Sequence, residues 1–303
     1  MNFKSFKTCT ELGEAFKESL GSRNKKDLTV NKIPSGFKKL DAIINDFQPS
    51  NLILVCAEQG MGKTSFAVSL INKMAIENQC AIAFFSLEIA AHQLLLRIVS
   101  QQTTIATEQL RLGLLNENEI ELVSKSIEAL QSNSLRIYDY PFLTVSDIEE
   151  TILCAPLGFP KLIIIDSLQS IAKSKKDKIG KVLNKRELTK ITFQLKQLAV
   201  KYNITILVLV HFTLQKERLN EHLDRRPLLS DLRKYAPIDA FADLVLLLYR
   251  PEYYKIDEWD DEPKLPAAEE AEVIVAKNNN GNLGKTRLQF KGNILKFENI
   301  KDN

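Results

Sequence analysis

Short runs of consecutive apolar residues alternate along the chain with segments in which apolar residues recur at helical spacing. The apolar runs predict strands at residues 51–57, 80–87, 135–139, 161–166, 204–210 and 242–249. Between the fourth and fifth runs, Leu188, Ile191 and Leu195 lie on one face of a predicted helix. Apolar runs without alternation are typical of strands buried on both faces of a parallel sheet. The pattern therefore predicts a doubly wound α/β domain with a mostly parallel sheet.

The two ends of the chain depart from this pattern. Residues 272–277 and 285–290 predict a C-terminal β-hairpin around an Asn- and Gly-rich turn, followed by a short strand. Near the N-terminus, Leu12, Phe16 and Leu20 recur at four-residue spacing before a polar stretch. We therefore predict an N-terminal arm with a linker helix at residues 1–30 and one domain at residues 31–303.

Composition excludes several classes of protein. The chain has 303 residues of which 45% are hydrophobic, which supports a large core and excludes a disordered chain. Its net charge is only +3, so a polyanion has to be bound by a local basic patch. The four cysteines form no C-x-x-C pair, which argues against a zinc site. No apolar run reaches the roughly 18 residues of a membrane helix, and we expect a cytoplasmic protein with no membrane partner.

The strongest chemical signal is the sequence AEQGMGKTS at residues 57–65, between a predicted strand and a predicted helix. In a P-loop, glycines let backbone N–H groups face the phosphates, a lysine reaches the β- and γ-phosphates, and the next hydroxyl binds Mg²⁺. The strict pattern has glycine where Ala57 stands, but strand, loop and helix occur in the required order. We predict a site for ATP and Mg²⁺, with Lys63 acting in catalysis and Thr64 at the metal. The predicted nucleotide contacts are Gly60, Met61, Gly62, Lys63, Thr64 and Ser65.

Three polar residues end neighbouring apolar runs, at the edge where ligands of open α/β sheets bind. Asp166 follows KLIII and is predicted to hold Mg²⁺ or its water. Glu88 is placed to deprotonate a water that attacks the γ-phosphate, and His211 to hydrogen-bond that phosphate. The alternatives are a strand that simply exits into solvent at Asp166, a helix-capping glutamate and a structural histidine.

The order of these segments resembles the C-terminal motor domain of the DnaB-type replicative hexameric helicases, a RecA-like family. The resemblance covers about residues 31–298 and includes the P-loop, FFSLE, LIIIDSLQSI, SDLRKYAP and AKNNNGNLGKTRL. It implies a RecA-like P-loop domain that moves along single-stranded DNA as a homo-oligomeric ring, expected to be a hexamer. A helicase loader or other replication proteins are implied as further partners. It also implies Asp166 at the metal, Glu88 as catalytic base, His211 as γ-phosphate sensor and Arg250 stacked near the adenine.

One of two hairpin positions that matter in the family departs from its pattern. The family places a lysine and an arginine two residues apart, and these reach the nucleotide of the neighbouring subunit. Here the pair is Lys277 and Asn279, so the lysine is kept and the arginine finger is missing. Such a finger is worth about a thousandfold or more in hydrolysis rate. Either hydrolysis is slow, or Arg287 substitutes from the opposite strand of the hairpin.

Basic residues near SDLRKYAP are the candidate DNA contacts. The resemblance implies that this segment binds one DNA strand, and we assign Arg233 and Lys234 to phosphate contact. The family usually has glycine where Ala236 stands. A lysine-rich stretch after Asp166 adds Lys176 and Lys178 as candidates, although such runs are commonly solvated surface. The acidic segments 257–262 and 269–272 are expected to repel nucleic acid and to suit a protein partner.

These features leave three functional hypotheses. The first is an ATP-dependent DNA helicase motor. The second is a nucleotide-dependent DNA-binding or scaffold protein of the same fold with weak or no unwinding, which the missing finger at Asn279 favours. The third is a monomeric small-molecule kinase, which the hairpin and the linker helix argue against.

Overall fold

The computed structural model describes residues 32–77, 80–131, 135–154, 160–174, 182–214, 225–260 and 264–300. The N-terminal arm, with Leu12, Phe16 and Leu20, lies outside the described residues, as do Lys176 and Lys178. None of the helices in the described ranges is long and apolar enough to cross a lipid bilayer.

One nine-stranded sheet organises the described residues. Its strands are β1 (Leu52–Ala57), β2 (Ile82–Ser86), β3 (Leu135–Tyr138), β4 (Leu162–Asp166), β5 (Thr205–His211), β6 (Leu244–Tyr249), β7 (Glu270–Asn278), β8 (Gly284–Lys291) and β9 (Lys296–Asn299). They lie in the order β3-β2-β4-β5-β1-β6-β7-β8-β9. The pairs among β1 to β6 are parallel, and β7, β8 and β9 continue the sheet as antiparallel strands. The predicted sheet and hairpin are confirmed.

Helices cover both faces of this sheet. They are α1 (Lys38–Ile44), α2 (Lys63–Ile71), α3 (Ala91–Thr103), α4 (Thr107–Leu112), α5 (Glu117–Gln131), α6 (Val145–Leu153), α7 (Lys185–Tyr202) and α8 (Leu229–Tyr235). A π-helical turn continues α2 over Asn72–Glu77, and 3₁₀ turns span Leu168–Ser170, Ile238–Phe241 and Pro251–Tyr254. The helix predicted between β4 and β5 is α7, and Asn184 begins it with a capping box to Glu187.

The apolar runs of β1, β2, β4, β5 and β6 have no alternation because helices cover these strands on both faces, whereas β3 at the sheet edge is only half-buried. Ile53 and Val55 of β1 belong to the core that contacts α1, α2 and α3. Leu54 and Cys56 of the same strand belong to the core that contacts α6, α7 and α8. Successive side chains of a strand point to opposite faces, so a sheet between two helical layers needs apolar residues at every position.

The acidic segments before the hairpin are only partly exposed. Glu272 is 1% exposed and accepts a 2.5 Å hydrogen bond from Nε of Arg226, which is itself buried. Trp259 is also buried, and its indole N–H donates to Glu270 at 2.6 Å. The expectation of a solvent-facing acidic surface is therefore wrong for Glu272, because a buried carboxylate requires a cationic partner.

An aromatic cluster joins the C-terminal strands to the helix that follows the P-loop. Phe297 of β9 meets Phe66 of α2 edge to face at 5.5 Å and lies 4.8 Å from Phe290 of β8, measured between ring centroids. Phe66 also stacks on Phe37 at 5.5 Å. A side chain at Gly62 would come within 3.2 Å of the Phe297 ring. Strands β8 and β9, at the antiparallel end of the sheet, thus pack against the P-loop and the helix that follows it.

We predict that Phe297→Ala lowers the free energy of unfolding by about 3–5 kcal/mol, because it removes a fully buried ring and leaves a cavity. Urea unfolding followed by circular dichroism measures this change. Phe142→Ala is the matched control, since Phe142 lies in an exposed turn and its loss is expected to cost less than about 1 kcal/mol. Similar losses in both variants would contradict the role given to the cluster.

Candidate nucleotide site

The P-loop connects the carboxyl end of β1 to the first residue of α2. Gly60 and Gly62 have φ values of +83° and +90°, a conformation that favours glycine. A side chain at Gly60 would also lie 2.6 Å from the ring of Tyr253. The amide of Phe66 donates to the carbonyl of Gly62 at 2.8 Å and so begins the helix directly after the loop. Both glycines are therefore required by backbone geometry, and Gly60 by close packing as well.

Lys63 is folded back over the loop. It is 4% exposed, and its Nζ donates to the carbonyl oxygens of Ala57 at 2.9 Å and Glu58 at 2.7 Å. Burial lowers the pKa of Lys63 to about 8, although the charge of Asp166 opposes this shift. An ammonium that is short of water and of anionic partners favours binding of a multiply charged anion.

Thr64 and Asp166 form a pair suited to a divalent cation. The Thr64 hydroxyl donates to Oδ2 of Asp166 at 2.7 Å. Asp166 is 1% exposed, and its Oδ1 has no hydrogen-bond partner among the described residues. Burial raises the pKa of Asp166 above the usual aspartate range. Hard oxygen donors with an unsatisfied carboxylate oxygen are what Mg²⁺ requires, so these residues fit the metal that the sequence predicted.

Glu88 lies beside Asp166 and His211. The ligand atoms of these three residues are all within 4.8 Å of one another. Nε2 of His211 is 3.0 Å from both carboxylate oxygens of Glu88, and the hydroxyls of Ser167 and Ser170 also donate to Oε1. Burial alone would raise the pKa of Glu88, but the hydrogen bonds from His211 and Ser167 outweigh it and lower the pKa to about 2. Glu88 is therefore an ionised acceptor at neutral pH.

Strand register explains why residues so distant in sequence meet. Ser86 of β2 pairs with Asp166 of β4, and Ala57 of β1 pairs with His211 of β5. The carboxyl ends of these parallel strands consequently share one edge of the sheet, as expected for a ligand site in an open α/β fold.

Side chains from the segment that follows β6 also contact the P-loop. Arg250 directs Nη1 to the carbonyl of Gly60 at 3.3 Å, and its guanidinium lies 3.8 Å from the centroid of Phe290. Tyr254 donates its hydroxyl to one oxygen of Glu58, whose other oxygen accepts from the amide of Leu214 at 2.9 Å. The sequence predicted Arg250 and did not single out the tyrosines. The pair at 253–254, a few residues after the end of β6, is the signal that would have pointed to them.

Lys277 and Asn279 lie away from this site. Lys277 pairs with Val245 near the start of β6, whereas the P-loop follows the end of the adjacent strand β1. Its Nζ donates to the carbonyl of Asp239 at 2.8 Å, and the backbone amide of Asn279 donates to the carbonyl of Asp243 at 2.9 Å. This position is compatible with action on a neighbouring subunit and not with contact to the chain's own P-loop.

The register of the hairpin separates Arg287 from Lys277. Arg287 pairs with Glu272, five residues before Lys277 along β7, which corresponds to about 17 Å of strand. The guanidinium of Arg287 lies 4.1 Å from the ring of Trp259. Arg287 is therefore held at the other end of the hairpin from Lys277, and its action as a substitute finger stays a prediction.

The candidate DNA contacts on α8 are exposed and adjoin the start of α7. Arg233 is 59% exposed and donates to Asp239 at 2.7 Å. Lys234 is exposed, and its carbonyl accepts a 2.6 Å hydrogen bond from Lys185. Ala236 has φ −160° and ψ 142°, an extended backbone that does not need glycine. Arg233, Lys234 and Lys185 thus form one basic surface, while Lys176 and Lys178 lie outside the described residues.

The strand order, the P-loop and the antiparallel extension define a RecA-like P-loop domain. The profile of the DnaB-like helicase C terminal domain matches residues 32–299, and the chain belongs to that family. It is 33% identical over 267 residues to a probable replicative DNA helicase of Trieres chinensis, which covers 88% of this chain and 56% of the relative. It is 30% identical over 300 residues to the replicative DNA helicase DnaB of Geobacillus stearothermophilus, which covers 98% of this chain and 63% of the relative.

The fold has a close counterpart among solved structures. A DnaB-like replicative helicase, whose structure was solved together with its interactions with primase, aligns with a TM-score of 0.78 and 23% sequence identity. The alignment covers 98% of this chain and 68% of that one. This likeness confirms the fold that the sequence predicted. The chain spans between half and two thirds of the length of the two helicase relatives compared by sequence.

We predict that Lys63 titrates near pH 8 in the ligand-free protein, instead of near 10.5, because burial disfavours its charge. Asp166→Asn is expected to lower this pKa further, since it removes the nearest compensating charge. Between these two pH values the unfolded chain holds more protons at Lys63 than the folded chain does. The contribution of Lys63 to the free energy of unfolding therefore increases as pH rises. Carbon-13 NMR of labelled lysine side chains measures the titration.

The matched control for this titration is Asp257→Asn, which removes an exposed carboxylate outside the site. It is expected to leave the pKa of Lys63 unchanged. A pKa of 10 or above in the wild-type protein would contradict the buried position of the ammonium.

Proposed function

We propose that this chain is the motor of a DnaB-type replicative helicase, which uses ATP and Mg²⁺ to move along single-stranded DNA as a ring. The observation that carries the proposal is the convergence of Lys63, Thr64, Glu88 and Asp166 at one sheet edge, in a chain of this helicase family. A replication motor of this kind acts in the cytoplasm, with a helicase loader and other replication proteins as partners.

The phosphate end of the nucleotide is assigned to the P-loop. Backbone amides from Gly60 to Ser65, with Met61 and Gly62 between them, bind the phosphates, and the ammonium of Lys63 turns from the loop carbonyls toward them. Thr64 and Asp166 would hold Mg²⁺, which would neutralise phosphate charge when bound. The buried Asp166 oxygen, which has no hydrogen-bond partner among the described residues, supports this assignment.

Glu88 is assigned as the base that takes a proton from the attacking water. A carboxylate with a pKa of about 2 is a weak base, because His211 and the two serines already donate to it. If the imidazole of His211 turns to the γ-phosphate, Glu88 loses a donor and becomes more basic. His211 then acts as a sensor that activates the base only when a γ-phosphate is present.

Arg250 is assigned to the base side of the nucleotide, together with the tyrosines of the 3₁₀ turn. Its contact with Gly60 and Phe290 supports a position next to the loop. The exposed ring of Tyr253 offers a surface on which adenine can stack.

Single-stranded DNA is assigned to the basic surface of Arg233, Lys234 and Lys185. Guanidinium and ammonium groups bind phosphates without sequence preference, as a motor on a single strand requires. Lys176 and Lys178 immediately precede α7 in the chain and are proposed to extend this surface.

Assembly into a ring is supported by two surfaces. Lys277 pairs near the start of β6, at the opposite strand ends from the chain's own P-loop, and this position supports its assignment to a neighbouring subunit's nucleotide. Helices α4 and α5, with the turn between them, also expose the apolar side chains of Leu112, Leu114, Ile120 and Leu122. We propose that the apolar stripe of the arm of an adjacent copy covers them, in a homo-oligomer expected to be a hexamer.

One observation favours the second candidate, a nucleotide-dependent DNA-binding or scaffold protein with little unwinding. Asn279 occupies the finger position, and Arg287 is held elsewhere. A motor without a finger at this position is expected to hydrolyse ATP slowly.

We predict that single-stranded DNA stimulates ATP turnover by the wild-type chain and that Glu88→Gln lowers turnover by about 10²- to 10⁴-fold while ATP still binds. The amide keeps one acceptor oxygen for His211 and the two serines but cannot take a proton from water. Phosphate release and nucleotide binding are measured in parallel. Lys63→Ala should instead abolish binding, because it removes the buried cation of the loop.

Glu128→Gln is the matched control, since Glu128 is exposed on α5 outside the site. Wild-type turnover in Glu88→Gln would place the base elsewhere. A wild-type chain that binds ATP and DNA without hydrolysis would favour the scaffold.

We predict that Asn279→Arg raises ATP turnover by about tenfold or more, because it restores a cation beside the nucleotide of the neighbouring subunit. The position tolerates the change, since the Asn279 side chain is exposed. Asn280→Arg adds the same charge one residue further along the turn and serves as control. Equal turnover in both variants and the wild type would show that hydrolysis does not use this position in trans.

A further inference from the structure

The side-chain amide of Gln169 makes hydrogen bonds with both main-chain polar groups of His211, the last residue of β5. Its Nε2 donates to the carbonyl of His211 at 2.6 Å, and its Oε1 accepts from the amide of the same residue at 3.2 Å. These two contacts fix which end of the side-chain amide is nitrogen and which is oxygen. Gln169 therefore sets the position of the main chain that carries the His211 imidazole.

The same nitrogen makes a third contact, with the DNA-facing helix. Nε2 of Gln169 donates to the hydroxyl of Tyr235 at 3.0 Å. Tyr235 is the last residue of α8 and directly follows Arg233 and Lys234, whose side chains are exposed. A continuous set of hydrogen bonds therefore runs from the end of α8 through Gln169 to His211, and from the imidazole to Glu88.

We propose that Tyr235 is a positioning residue that couples DNA contact at the end of α8 to the orientation of His211, with Gln169 as the connection. This proposal rests on the function proposed above. It names the residues through which DNA binding and ATP binding affect each other. When a DNA phosphate binds Arg233 or Lys234, the end of α8 shifts, the Tyr235 hydroxyl shifts with it, and the Gln169 amide moves the end of β5. The imidazole then changes its distance from Glu88.

The hydroxyl and the ring of Tyr235 have separable roles. The ring packs against the core between the sheet and α7, and phenylalanine keeps that contact. Only the hydroxyl reaches Gln169, and it is a neutral acceptor in a hydrogen bond worth a modest amount of free energy. Tyr235→Phe therefore removes the proposed coupling without opening a cavity.

Coupling between two binding sites is reciprocal, which supplies a readout that a purely structural role would not change. The quantity is the ratio of single-stranded DNA affinities with and without a non-hydrolysable ATP analogue. Fluorescence anisotropy of a labelled oligothymidylate measures both affinities. In Tyr235→Phe we expect this ratio to move toward one by about two- to tenfold, the range that one neutral hydrogen bond supports. The stimulation of ATP turnover by DNA should fall in parallel.

Tyr202→Phe is the matched control, because it removes a hydroxyl that donates to Glu149 near the far end of α7. Gln169→Ala completes a double-mutant cycle: if the connection runs through Gln169, Tyr235→Phe should change the ratio little when Gln169 is already absent. An equal fall in Tyr202→Phe, or additive effects of the two changes, would overturn the proposal.

The failure of this proposal is distinguishable from failure of the proposed function. A wild-type protein in which the analogue does not change DNA affinity and DNA does not stimulate turnover would overturn both. A coupled wild type with an equally coupled Tyr235→Phe would overturn the positioning role alone. Weaker DNA binding by Tyr235→Phe at an unchanged ratio would also overturn it, since the hydroxyl would then serve binding and not coupling.

Discussion

The site depends on two charges that are buried side by side at the edge of the sheet. Lys63 and Asp166 are 4% and 1% exposed. Burial lowers the pKa of Lys63 and raises the pKa of Asp166, and both shifts favour the neutral form. The loop carbonyls and the Thr64 hydroxyl satisfy only part of their hydrogen-bonding capacity. Such a pair costs free energy in the ligand-free protein. The proposed nucleotide with its divalent cation would offset that cost, so the fold gives up stability at the place proposed for ligand binding.

The apolar packing of the surrounding fold keeps this arrangement in place. Phe66 follows the loop by one helical turn and is held between Phe37 and Phe297, so α2 cannot move to hydrate Lys63. Asp166 and His211 end β4 and β5, and Glu88 lies two residues after β2, so parallel pairing brings all three to one edge. The polar cluster is therefore pre-formed apart from the end of β5, which Gln169 holds and which the proposed coupling moves.

The two ends of β6 face different sites. The end that continues into Arg250 adjoins the chain's own P-loop, while the start pairs with the part of β7 that carries Lys277. In the proposed ring, β6 would connect the site of one subunit with that of the next. Asp239 contacts both Arg233 of α8 and Lys277. Asn279 at the proposed finger position does not disturb the fold, because it lies in the exposed hairpin turn.

Local patterns in the sequence determined the strands, the P-loop, the hairpin and the polar residues at the strand ends. Unbroken apolar runs such as ITILVLV can only be buried on both faces, and AEQGMGKTS carries its glycines where the loop has positive φ. The resemblance of the motifs in order was enough to identify the family. These features are short in range, so they can be recognised without tertiary information.

Tertiary structure alone decided which of these residues meet and which are separated. The register between β7 and β8 places Arg287 on Trp259 and away from Lys277, although the sequence allowed either position. Glu272 was counted with an acidic surface, but a partner 46 residues away, Arg226, holds it inside. The bridge from Tyr235 through Gln169 to His211 joins three segments whose spacing shows no motif. Contacts of this kind depend on strand order and register, which local periodicity does not specify.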